Sequence, residues 1–139
     1  MKLVKCILGT FLLSPLVCNA AQTDFERALS IELTKAALQI NAQSPQLLDE
    51  ETRLDSAATF KNYVIYNNTM VNYTAEQLDV KIFDPLIEEA VIGPLCANPG
   101  LASFVDLGVV MVYRYHGKNG QFITELAKDM SSCKNTAQE

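Results

Sequence analysis

Four cysteines carry the most reactive side chains in this sequence, Cys6, Cys18, Cys96 and Cys133, and their chemistry depends on where the chain folds. Lys2 and Lys5 precede the apolar run Ile7 to Val17, and Cys18-Asn19-Ala20 then offers small residues of the kind that signal peptidase reads. Residues 1–20 are therefore expected to be a cleaved export leader. Its removal takes Cys6 and Cys18 away. Cys96 and Cys133 then meet an oxidising compartment, where the simplest outcome is one disulfide. A redox role fits poorly, because the pair lacks the C-x-x-C spacing that lowers a thiol pKa at a helix N-terminus.

The other reactive groups are few. A single histidine, His116, falls in an expected hairpin turn, which leaves a serine or cysteine nucleophile without a base. One histidine and two paired cysteines do not make a zinc tetrad, and Asp49-Glu50-Glu51 and Glu88-Glu89 lack the spaced ligands and turn glycine of a calcium loop. No catalytic residue, metal site or cofactor is read from this pattern. Tyrosines remain. Tyr63, Tyr66, Tyr113 and Tyr115 lie on expected strands and form the candidate binding surface, since an aromatic-bearing sheet face or edge joins a large contact area to a polar tip. The rival reading is a small periplasmic hydrolase or a carrier of an apolar ligand, which a deep pocket lined by perturbed carboxylates would reveal.

Charge and length narrow the partners. The formal net charge is −5 over 139 residues, and loss of the two leader lysines makes the exported chain more acidic still. Such a surface repels phosphate backbones, so nucleic acid is not an expected partner. The apolar run of the leader is about half the ~20 residues that cross a bilayer, so no retained transmembrane helix is expected. A lipid anchor at Cys18 is not expected either. The lipoprotein box asks for a large aliphatic residue three positions before the cysteine and Gly or Ala next to it, where this chain has Pro15 and Val17. Residues 21–139 match the commonest size of one domain.

The elements that position these groups follow from periodicity. Phe25, Leu29, Leu33, Ala36 and Ile40 share one helical stripe over about residues 23–41, capped by Thr23 or Asp24 and ended by Ser44-Pro45. Two strands follow. The first centres on Arg53 to Ala57, with Leu54 inward and Arg53 and Asp55 opposite; the second spans Tyr63 to Val71, with a β-bulge expected at Asn67-Asn68. Thr74 and Gln77 have the form of a capping box. Leu78, Ile82, Leu86 and Ala90, widened by Phe83, Ile87 and Val91, mark a second helix that Pro85 should kink or restart. Short helical turns end at Gly108, and a hairpin joins Val109–Tyr115 to Gln121–Leu126 through His116 to Gly120. The order α-β-β-α-β-β predicts an α+β domain, an antiparallel sheet of about four strands with helices on one face and one disulfide.

Several of these segments carry a resemblance. The stretch from Asp49 through Glu51-Thr52-Arg53-Leu54-Asp55-Ser56, the Tyr63–Tyr66 strand, Leu95-Cys96-Ala97 with Pro99, the Val109–Tyr115 strand with Gly120, and Cys133 together resemble a family of small exported bacterial proteins labelled quorum-sensing-regulated virulence factors. The Cys96 to Cys133 part is similar, more distantly, to the pilotins of type II secretion. Those are periplasmic lipoproteins that escort the outer-membrane secretin and carry a disulfide on an α/β sandwich. Neither resemblance implies a catalytic residue. The first implies a role in virulence, and the second implies a partner in the envelope or the secretion system. The poor lipid box at Cys18 departs from the pilotin pattern. The expectation is an exported protein, periplasmic or released, that binds another protein or envelope component without catalysis.

Overall fold

The computed structural model describes residues 22–138; the expected leader, its cleavage site and Cys18 lie outside them. Helix α1 is Asp24–Gln43. Thr23 caps it: the Thr23 hydroxyl accepts from the Glu26 amide at 3.1 Å, and the Glu26 carboxylate accepts from the Thr23 amide at 2.8 Å. The expected stripe buries Leu29 and Leu33 and half-buries Ala36 and Ile40, while Phe25 at its start stays exposed. Ser44 ends the helix, and the Ser44-Pro45 peptide is cis.

The sheet is β1 (Gln46–Leu47), β2 (Thr52–Phe60), β3 (Tyr63–Met70), β4 (Val110–Gly117) and β5 (Phe122–Asp129), in that spatial order. It differs from the expected antiparallel sheet of about four strands: there are five, and β3 runs parallel to β4 while the other neighbours are antiparallel. The reason is the connection. Between the two hairpins the chain crosses through helices and returns beside β3 in the same direction, as parallel pairing requires. β1 escaped prediction because two residues show no alternation.

Other boundaries also shift. The bulge lies across the ladder from the two asparagines, at Asp55, between the pairs Leu54–Asn68 and Ser56–Asn67. His116 is not in the turn. It belongs to β4, opposite Phe122, and the turn begins at Lys118. The capping box at Thr74 opens only a 3-10 turn, Ala75–Gln77, after which Asp79 caps α2 (Val80–Ile87). Pro85 neither ends nor restarts that helix; the chain passes through it and widens into a π-helical stretch, Glu88–Ile92, then a 3-10 stretch, Gly93–Ala97. The missing proline N–H loosens the ladder there. Helix α3 (Ala102–Leu107) stops at Gly108, which supplies the left-handed cap at φ 63°.

One sheet face holds the core. Val64 and Met111 meet Leu29 and Leu33 of α1, Ile92, Phe104 of α3 and Met130, while Met70, Tyr115 and Ile123 meet Phe83 of α2. The disulfide joins Cys96, after the π-helical stretch, to Cys133 in the closing 3-10 helix, as expected. Both anchor segments flank the core, so the bond ties the crossover to the chain end. The opposite sheet face carries Phe60, Tyr63, Ile65, Val110, Val112 and Arg114, of which Val112 is buried among its neighbours. Among the described residues, no single helix is long and apolar enough to cross a membrane.

Candidate functional site

Alternation divides the four candidate tyrosines between the two sheet faces. Tyr66 and Tyr113 are paired across β3 and β4 and stack at 4.9 Å with an 11° interplanar angle, packed against the main core. Tyr115 is 3% exposed and meets the Phe83 ring edge-on at 5.3 Å. Burial pushes the phenols of Tyr66 and Tyr115 up to about 12, aided at Tyr115 by the charge of Asp49, and burial also raises Tyr113. Only Tyr63, 39% exposed, lies on the open face. The four tyrosines therefore do not compose one surface.

A different group of residues does. The segment between β1 and β2 and helix α2 border an open groove of about 660 Å³. Its floor is apolar, built by Met70 at the end of β3, Leu78, Phe83, Leu86 and Ile87. Its lip is acidic, built by Asp49, Glu50 and Glu51. That lip is held in place by bonds from several directions. Asp49 accepts from the Glu51 and Thr52 amides at 2.8 and 2.7 Å, the Glu51 carbonyl accepts from Val71 at 2.8 Å, and the Glu50 carbonyl accepts from the Asn72 side chain at 3.1 Å. The Tyr73 hydroxyl donates to the Glu51 carboxylate at 2.8 Å, and this bond raises the Tyr73 pKa because ionisation would break it.

Helix α2 leaves much of its apolar stripe uncovered. Phe83 is 7% exposed and faces the core, whereas Ile82 and Leu86, one turn apart, are 65% and 58% exposed. The sequence showed the stripe without showing which half would be covered, and it presented Asp49-Glu50-Glu51 as an ordinary solvated run. Nothing local joined the two. Their meeting depends on β2 and β3 bringing Thr52 beside Met70.

An acidic lip over an apolar floor can recognise a surface that is apolar with cationic flanks. His116 takes no part, since its position in β4 puts it on the face opposite Tyr115, where its ring lies 6.0 Å from Phe122. That open face also carries two ion pairs, Arg53–Asp55 and Arg114–Glu125, the second at 2.6 Å. Among the described residues, no group of three or more His, Cys, Asp or Glu is placed to hold a metal ion.

No family model matches the sequence, and no curated protein does. Solved structures do share its architecture. A "putative secreted protein" from Pseudomonas aeruginosa superposes with a TM-score of 0.67 at 18% identity, covering 81% of this chain and 99% of that one. The type II secretion pilotin EpsS from Vibrio vulnificus gives 0.63 at 18% identity, covering 78% and 94%. The pilotin AspS from Vibrio cholerae gives 0.60 at 18% identity, covering 78% and 95%. This chain thus has the α+β fold, with one disulfide, that is similar to a secreted protein and to pilotins.

Proposed function

We propose that this chain is an exported, non-catalytic binding module of the cell envelope, and that it holds a secretion-system protein through the groove between the acidic lip and α2. The observation that carries this reading is the uncovered apolar stripe of α2 beside an apolar floor, rimmed by three acidic residues of which Asp49 and Glu51 have their carboxylates fixed by hydrogen bonds. Exposed apolar surface on an acidic chain calls for a partner that covers it. Fold likeness to two type II secretion pilotins supports the choice of partner class. Export rests on the leader at residues 1–20, with removal after Ala20 or Ala21, and on the disulfide that such a compartment permits. Tyr63 belongs to the open sheet face and would form a separate, smaller contact.

The test uses in vivo crosslinking from a photoreactive residue at position 82, followed by mass spectrometry of the adduct. A secretion-system envelope protein as the adduct, lost with Leu86→Ser, supports the reading; Leu86 is exposed, so that variant should keep its stability to within about 0.5 kcal/mol. No adduct from position 82, or an adduct unchanged by Leu86→Ser, overturns it. The intact mass of the purified protein, with and without reductant, checks the leader, the thiol state and the absence of lipid together.

A further inference from the structure

β2 is the longest strand of the sheet, yet its outer neighbour β1 pairs only with Arg53 and Leu54. Among the described residues, no strand lies beside the outer edge from Ser56 to Phe60. Such an edge offers main-chain donors and acceptors to any extended chain. At one point it is occupied by a side chain. The Asn41 carboxamide, in the last turn of α1, accepts from the Ala57 amide at 2.7 Å and donates to the Ala57 carbonyl at 2.9 Å. A carboxamide has the donor and acceptor of a peptide group, so Asn41 stands where a neighbouring strand would bond.

Beyond that plug the edge is open. Because Ala57 turns both its main-chain groups outward, the antiparallel ladder turns those of Thr59 outward as well, while Ala58 and Phe60 bond to β3. Beside Thr59 and Phe60, α1 stands off and leaves a cavity of about 830 Å³.

We propose that Asn41 is an edge plug, and that the partner it holds off is β2 of a second copy of this chain. The segment matches itself under a two-fold axis. Pairing Ala57 with Thr59 of the other copy brings outward groups to outward groups and sets Ala58 opposite Ala58 on the axis, where two small side chains meet without a clash. Ser56 to Phe60 carries no charge and no proline, which removes there the repulsion that a net charge of −5 imposes elsewhere. The pairing stops at Leu54, which β1 already covers.

Light scattering coupled to size exclusion tests this on the purified chain. Asn41→Ala should dimerise with an affinity at least about tenfold above that of the wild type, and adding Thr59→Pro should return it to monomer. Proline there removes an outward N–H while leaving the bonds between β2 and β3 intact. If Asn41→Ala lacks the wild-type circular dichroism spectrum, Asn41→Ser replaces it, being polar but one bond too short to reach Ala57. A folded Asn41 variant that stays as monomeric as the wild type overturns the proposal. So does a dimer that Thr59→Pro leaves unchanged.

Discussion

Two sets of single residues show how little room this fold leaves. A Cβ added at Gly117 would sit 2.5 Å from the Ala75 amide nitrogen and 2.9 Å from the Thr74 carbonyl carbon, both backbone atoms that cannot swing away. Gly117→Ala should therefore cost about 1–3 kcal/mol in urea unfolding, the range for forced overpacking. The stacked and buried phenols give the second expectation. The unfolded chain's tyrosines ionise near pH 10, whereas Tyr66, Tyr113 and Tyr115 hold their protons to higher pH in the fold. Their contribution is intact below pH ~10 and is lost as pH rises through the folded values. Ultraviolet titration should show phenolate absorbance from these residues appearing together with loss of the folded circular dichroism signal. Free titration of all tyrosines in a folded chain would contradict their burial.

At the scale of elements, helix ends and helix faces follow different rules. The Thr23–Glu26 capping box of α1 is local, four residues long, and the sequence offered Thr23 or Asp24 as the cap; the structure selects Thr23 and adds Glu26. Thr23→Ala should lower stability by about 1 kcal/mol in thermal or urea unfolding. The Glu26 carboxyl is held below its usual range by its bonds to Thr23, so the stabilisation exists above the ordinary carboxylate pKa. It is lost as pH falls through the lowered value, and the gap between Thr23→Ala and wild type should narrow in acid. Helix α2 behaves otherwise. Of its expected stripe of Leu78, Ile82, Leu86 and Ala90, widened by Phe83, Ile87 and Val91, packing covers Phe83 with Leu78 and Ile87 beside it and leaves Ile82 and Leu86 in solvent, while Leu78 and Ala90 fall outside the helix itself. Periodicity reports which residues share a face; only a neighbour's shape determines how far that face is covered. The proline inside α2 departs from its local rule as well: a kink or a restart was expected at Pro85, and the chain instead continues through it and widens into the π-helical stretch Glu88–Ile92.

For the whole molecule the covalent tie is the largest single constraint. Cys96 and Cys133 are separated by 37 residues, and closing a loop of that size is worth about 4 kcal/mol by the chain-entropy estimate. Reduction should lower the melting temperature by several degrees, and Cys96→Ala with Cys133→Ala should reproduce that loss without reductant; equal melting of oxidised and reduced protein would show that the tie adds nothing. The pairing was legible early, because the expected removal of a leader would leave two sulfur atoms. The burial of Tyr113 and Tyr115, expected as a binding surface, was not legible, whereas α1, both hairpins and the α3 stop at Gly108 were, all set by spacings of a few residues. These features the amino-acid order determined alone, for steric and hydrogen-bonding rules within one element suffice to produce them. The parallel junction of β3 with β4, the two-residue strand β1, the place of His116 on the far face and the groove under Asp49-Glu50-Glu51 were decided by the tertiary structure. Each depends on where two distant segments come to rest against a shared core, and no short window of sequence contains both.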